Sequence, residues 1–217
     1  MRVIITNTPQ EAGVIGAALI AERAFEPIHV SLPGGRSVVP VYSELSRYPA
    51  SILSNLRIRI ADERIIGEKN EAVIEEHLIA PARKRGIAFD LKAPIQEGSP
   101  AAIVESYAET IDTDSFDLVL LGVGEDGHVL GLYPGFPQLD SSNKVESFFN
   151  SPKPPPERMT TTFVCYDPRR TRAIVLFIGE GKREALRRFM ERPDHHELPA
   201  AYFATFDDVI VITDQHV

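Results

Sequence analysis

The chain carries a single cysteine, Cys165, which excludes a disulfide framework and points to a reducing compartment. Its setting, TTFVCYD, reads as a buried strand position rather than a reactive thiol. Basic residues are in deficit: 23 lysines and arginines stand against 31 acids, a formal charge of −8, with no basic block. That balance argues against nucleic acid or an anionic membrane surface as partner, and an anionic small molecule would need a local basic pocket. Long apolar runs are missing too, none approaching the roughly 20 residues that a bilayer requires. The opening MRVIITNTPQEAG has no basic region, apolar core or small-residue cleavage site, so the chain is expected to be soluble and cytoplasmic. No repeat period is visible. The one low-complexity piece, SPKPPPER at 151–158, predicts a stiff, extended connection ending in a usable Arg158.

What is present is alternation. Short β-branched or leucine-rich runs (RVIIT, IHVSL, LRIRI, FDLVLLG, AIVLFIG) are separated by amphipathic stretches at 9–24, 70–85, 99–111 and 181–191. This predicts an α/β fold with a mostly parallel sheet and helices on both faces. With 217 residues and 43% hydrophobic content, one domain over 1–217 can bury a full core. Asn70 reads as a helix N-cap with Gly86 as the stop, and Ser99-Pro100 as a second helix start.

Ligands of open parallel sheets collect at the carboxyl ends of the strands, so the residues following each run carry the functional information. After IHVSL comes PGGRS, where Gly34 and Gly35 let backbone approach a ligand and Ser37 at a helix start suits a phosphate. After LRIRI comes ADER, with Asp62 able to orient a hydroxyl or base and Arg64 able to pair with an anion. After AIVLFIG comes EGKRE, where Lys182 in the first turn of a helix opposes the dipole unless an anion compensates it. DHHE at 194–197 offers two adjacent histidines, but no third ligand stands at a zinc-like spacing, and it reads as a polar loop rather than a metal site. His29, His77 and His216 stand alone and read as structural or exposed.

LLGVGEDGHVLGLYPG at 120–135 holds Gly122, Gly124 and Gly127 in the G-x-G-x-x-G spacing of dinucleotide loops. The motif lies in mid-chain, and Glu146, near the distance of the expected acid, sits in SSNKVESFFN, a poor buried strand. A nicotinamide or flavin is therefore not expected. His128 supplies instead a neutral imidazole near pH 7, beside N–H groups able to stabilise an oxyanion, and the pair suggests addition to a carbonyl.

Together PGGRSVVPVYSEL, ADER, LLGVGEDGHVLGLYPG, SPKPPPERMTTTF, GEGKREAL and LPA at 198–200 resemble, in order, the 6-phosphogluconolactonases of the pentose phosphate pathway, relatives of the glucosamine-6-phosphate deaminases. The resemblance implies a three-layer α/β/α fold like that of the ribose-phosphate isomerase and CoA-transferase group, working without metal or organic cofactor on a phosphorylated sugar lactone. It implies that His128 activates water, with Asp62 and Arg64 beside it. Gly34, Gly35, Arg36, Ser37, Arg158 and Lys182 become phosphate and sugar contacts, with Lys153, Asp126 and Gly127 also at the substrate. The deaminases use a Glu five residues after the loop histidine, and here that place is Tyr133. Two hydroxyl positions common in the lactonases are Val129 and Gly131 in this chain, leaving a deaminase and a binding-only relative as alternatives. A monomer is the expected state.

Overall fold

The computed structural model describes residues 1–95 and 97–215, so His216 lies outside the described residues. In chain order the strands are β1 (Arg2–Ile5), β2 (Ile28–Leu32), β3 (Leu56–Ile60), β4 (Asp62–Arg64), β5 (Asp90–Lys92), β6 (Leu118–Gly122), β7 (Val145–Phe148), β8 (Arg158–Thr161), β9 (Arg172–Phe177) and β10 (Val209–Thr213). Seven form an all-parallel sheet in the order β1-β10-β9-β6-β2-β3-β5. The runs LVLLG, RAIVLF and VIVIT are buried along nearly their whole length, which requires cover on both faces, whereas the edge strands β1 and β5 are largely exposed. The expected α/β sheet with flanking helices is what forms.

Local signals place the helices. Thr8 caps α1 (Pro9–Ala21) by accepting the Glu11 N–H at 3.1 Å, and Ser99 caps the helix Pro100–Glu109 through the Ala102 N–H at 3.3 Å; both helices have Pro at their first position. Asn70 departs from expectation. It is the first helical residue rather than the cap, and the buried Glu63 carboxylate takes over, accepting the N–H groups of Asn70 at 2.7 Å and Glu71 at 2.9 Å. Its own carboxamide is thereby left for another role. Cys165 is buried as expected but lies in a tight helical turn, Phe163–Cys165, not a strand, and burial pushes its thiol up to about 11.

The sequence gives no hint of the second sheet, β4-β8-β7, which is antiparallel. The chain crosses into it at Ala61: the Ala61 N–H donates to Leu32 in the large sheet, while its carbonyl accepts the Thr161 N–H and hydroxyl from the small one. ADER therefore straddles a corner between two sheets, which aims Asp62 and Arg64 across the carboxyl end of the parallel strands. Glu146 sits on β7 at the rim of this small sheet, tied to Ser141 and Asn143.

Candidate active site

A cavity of 620 Å³ opens where β2, β3, β6 and β9 end. Of the residues singled out from the sequence, Gly34, Gly35, Arg36, Ser37, Asp62, Arg64, His128, Lys153, Arg158 and Lys182 all line it; Asp126 and Gly127 do not. Asp126 stands behind His128, its Oδ1 at 2.5 Å from Nδ1 of the imidazole. Nδ1–H donating to this carboxylate leaves the Nε2 lone pair free to accept a proton. Asp126 is thus the orienting partner of the histidine rather than a lining residue.

The glycines of the loop serve this pair. A Cβ on Gly124 would stand 2.0 Å from Nδ1 of His128 and 2.4 Å from Oδ1 of Asp126, so only a hydrogen fits there. Gly127 adopts φ 84°, open to glycine at no steric cost, and a Cβ there would meet Leu198 at 2.0 Å. The late LPA closes from beneath, since the Ala200 N–H also donates to the Gly127 carbonyl.

The loop's own turn uses three of its amides: Gly127 N–H donates to Gly124, Gly124 N–H to His128, and His128 N–H to the Asp126 carboxylate. Those three are not available to an oxyanion, whereas the N–H groups of Glu125 and Asp126 meet no acceptor among the described residues. Among the described residues the N–H groups of Gly34, Gly35 and Arg36 meet no acceptor, and these face the cavity from the other side.

Electrostatics separate the acidic groups of the site. Burial, then the charges of Lys153 and Lys182, hold His128 below its ordinary value against the opposing pull of Asp126, so the imidazole is neutral at pH 7. Asp126 falls to about 2 because its hydrogen bond and charge interaction with His128 outweigh its partial burial, the largest single influence. Asp62 goes the other way, to about 6, chiefly because it is buried and next to Glu63; Arg158 at 3.9 Å, Arg64 and the Asn70 carboxamide at 3.1 Å offset part of that. Lys182 is lowered by burial and by the neighbouring charges of Lys153 and Arg36. Five cations thus converge on one cavity of a chain with net charge −8, the local basic pocket that an anionic ligand requires.

Because Asp62 holds its proton to higher pH when folded than its ordinary 3.8, ionising it costs native stability. The cost is absent below pH 3.8 and complete above about 6. Asp62→Asn is therefore expected to stabilise the fold at pH 8, by on the order of 2–3 kcal/mol at most, with the gain disappearing towards pH 4. Urea unfolding of both proteins at the two pH values measures it.

The proline segment is not extended. It curls around Arg158, whose Nε and Nη2 donate to the carbonyls of Lys153, Pro154 and Pro155 at 3.2–3.4 Å, and the Pro154-Pro155 bond is cis. Prolines supply acceptors without competing N–H donors, so the guanidinium becomes the natural partner of that turn. The remaining end of the guanidinium, Nη1, faces Asp62 at 3.9 Å on the cavity wall.

Sequence reasoning missed Asn70 and gave Tyr133 only a negative meaning. Asn70 holds Asp62 through the carbonyl at 2.8 Å and the carboxylate, and it packs so closely that a Cβ on Gly34 would lie 2.2 Å from its Oδ1. Tyr133 stacks on His128 with ring centroids 4.5 Å apart and is tied to the proline segment by the Ser151 hydroxyl at 3.3 Å. Tyr133→Phe keeps the stack and should leave turnover within about twofold. Tyr133→Leu loses a contact worth about 0.5–1.5 kcal/mol and should lower kcat up to about tenfold. Steady-state kinetics of the two variants separates ring from hydroxyl.

Val129 and Gly131 lie off the cavity. Val129 is fully buried, and Gly131 faces Thr160 and Phe148, which a Cβ would approach to 2.9 and 3.1 Å. Missing hydroxyls at these positions therefore take nothing from the lining; Leu130, at φ 57°, is the residue of that turn which reaches it.

The chain matches the model of the glucosamine-6-phosphate isomerase/6-phosphogluconolactonase family over residues 12–211. It belongs to that family. Within it, the human 6-phosphogluconolactonase is 31% identical, the alignment covering 91% of this chain and 84% of that protein, and the bovine one is equally similar. Among solved structures, the 6-phosphogluconolactonase of Thermotoga maritima superposes with a TM-score of 0.81 at 24% identity, covering 98% of both chains. A monomeric glucosamine-6-phosphate deaminase superposes nearly as well, with a TM-score of 0.80 at 19% identity, over 99% of this chain and 98% of that one. The family fold is common to both activities, so the difference between them resides in side chains.

Proposed function

We propose that this chain is a carboxylic ester hydrolase that converts 6-phospho-D-glucono-1,5-lactone to 6-phosphogluconate in the oxidative pentose phosphate pathway. The observation that carries the reading is the Asp126–His128 pair opening onto a cavity lined by Arg36, Arg64, Lys153, Arg158 and Lys182. A base of this kind and an anionic ligand are what lactone hydrolysis on a sugar phosphate needs. The full-length similarity to curated 6-phosphogluconolactonases supports it, and so does Tyr133, which leaves the deaminases' second carboxylate without a counterpart.

In this mechanism Nε2 of His128 takes a proton from water as the oxygen adds to the lactone carbonyl, while Asp126 holds the imidazole and stabilises the imidazolium that forms. The proton then passes to the ring oxygen as the C–O bond breaks. Lys153, whose charge is felt at His128, helps to balance the oxyanion. The phosphate lies among the free N–H groups of Gly34, Gly35 and Arg36, with Ser37, Arg158 and Lys182 completing the contacts and Asp62 and Arg64 orienting the sugar. All these groups come from one chain, read as one domain over 1–217 and acting as a cytoplasmic monomer.

The test is hydrolysis of freshly made 6-phosphoglucono-δ-lactone against the unphosphorylated lactone, with ammonia release from glucosamine 6-phosphate measured in parallel. Strong preference for the phosphorylated lactone with no ammonia supports the reading. Ammonia release would replace it with the deaminase, and tight binding without hydrolysis would leave a binding-only relative.

A further inference from the structure

DHHE at 194–197 gains in space the third ligand it lacks in sequence. The loop holding it docks on the segment after the His128 turn, where the Gly135 N–H donates to the His196 carbonyl at 2.9 Å. This brings Asp140, 56 positions away, to 2.9 Å from Nε2 of His196. The His195 ring stands 4.3 Å from that of His196 and is held edge-on against Phe163 at 5.7 Å and Tyr202 at 6.1 Å. One donor atom from each of Asp140, His195 and His196 falls within 4.8 Å of the others, and none of the three lines the cavity.

The surroundings separate this cluster from an ordinary ion pair. On its far side His196 meets Asp194, Nδ1 to Oδ1 at 2.7 Å, and the same oxygen accepts the His196 backbone N–H at 2.8 Å. A carboxylate on the second ring nitrogen is the outer contact that fixes a metal-bound imidazole, and an ion would displace the proton that Nε2 donates to Asp140. An Asp–His–Asp pairing would account for His196 alone. It leaves His195 unexplained, since among the described residues its ring nitrogens have no hydrogen-bond partner while its aromatic neighbours hold the ring in place. Two imidazoles and one carboxylate suit a borderline divalent ion, not magnesium or calcium, and three protein ligands leave a fourth tetrahedral position for water.

We propose that Asp140, His195 and His196 form a site for a zinc-type divalent ion, oriented by Asp194 and separate from the catalytic cavity. Binding would join the segment after the His128 turn to the loop that leads into Leu198. Asp140 and His196 would move apart by a few tenths of an ångström to admit the ion, which their exposure allows.

Chelator-stripped full-length protein titrated with zinc chloride in a calorimeter tests this, with His128→Ala as the background so that the catalytic imidazole takes no part. One zinc per chain is expected in wild type and in His128→Ala. His195→Phe and His196→Gln, each made in that background, should weaken binding at least about tenfold, the scale seen even for outer partners, and Asp194→Asn by about tenfold. Zinc should also raise the thermal midpoint of the background protein but not of these ligand variants, whose cooperative unfolding in chelator shows them folded. Zinc binding unchanged by both histidine substitutions, or no zinc uptake by the background protein, would overturn the site.

Discussion

His128→Ala is expected to fold normally and lose about 10²- to 10⁴-fold in kcat/KM for 6-phosphoglucono-δ-lactone, the contribution of a positioned general base. At 1.36 kcal/mol per tenfold this is about 3–5 kcal/mol of transition-state stabilisation, the largest single effect anticipated in the cavity. The imidazole is held on three sides: by the carboxylate of Asp126, by the Tyr133 ring, and by Gly124, where only a hydrogen fits. Its removal opens a space at the cavity wall that water fills, so stability should change little. Initial rates with fresh lactone, corrected for spontaneous hydrolysis, give the loss directly. Wild-type turnover in the variant would transfer the base to Asp62, whose carboxyl is raised to about 6.

Gly124→Ala is expected to cost about 100-fold in kcat without removing any functional group. Its added Cβ would lie 2.0 Å from the imidazole and 2.4 Å from the Asp126 carboxylate, so one of them must move, and a displacement near 1 Å at a reacting group costs on that order. The phosphate contacts are untouched, so KM should change by less than about threefold. Steady-state kinetics with a thermal unfolding curve distinguishes this from misfolding: low kcat, near-normal KM and a cooperative transition are the expected combination. Unaltered kcat would mean that the dyad tolerates displacement and that its short contact is not catalytic.

Much of this was legible in the chain. Alternating β-branched runs and amphipathic stretches report burial periodicity, and a parallel sheet places the loops after its strands on one edge, so PGGRS, ADER, GHV and EGK had to meet. What stayed hidden depends on partners far apart in sequence. The small antiparallel sheet joins β4 to β8 across roughly a hundred residues, and no local pattern announces that pairing. Asn70 reads as a cap because Asn favours that place, and only the buried Glu63, which takes over the capping, frees it to hold Asp62. The proline run reads as a stiff, extended connection because prolines favour extended backbone, yet its carbonyls close around Arg158. Gly131 reads as a missing hydroxyl in the chain, but Thr160 and Phe148 occupy the space a side chain would need.

The central claim is that a neutral His128, held by Asp126, is the proton acceptor. The most direct measurement is an NMR titration of the assigned His128 ring protons, set against the pH dependence of kcat/KM on the same protein. The imidazole should titrate below its ordinary value of 6.5, because burial and the charges of Lys153 and Lys182 outweigh Asp126. Activity, requiring the unprotonated ring, should then be level through neutral pH and fall about tenfold per unit below that same midpoint. An acid limb that coincides with the His128 titration is the predicted result; a limb that follows Asp62 instead, or a His128 that stays protonated where the enzyme is fully active, would contradict the account.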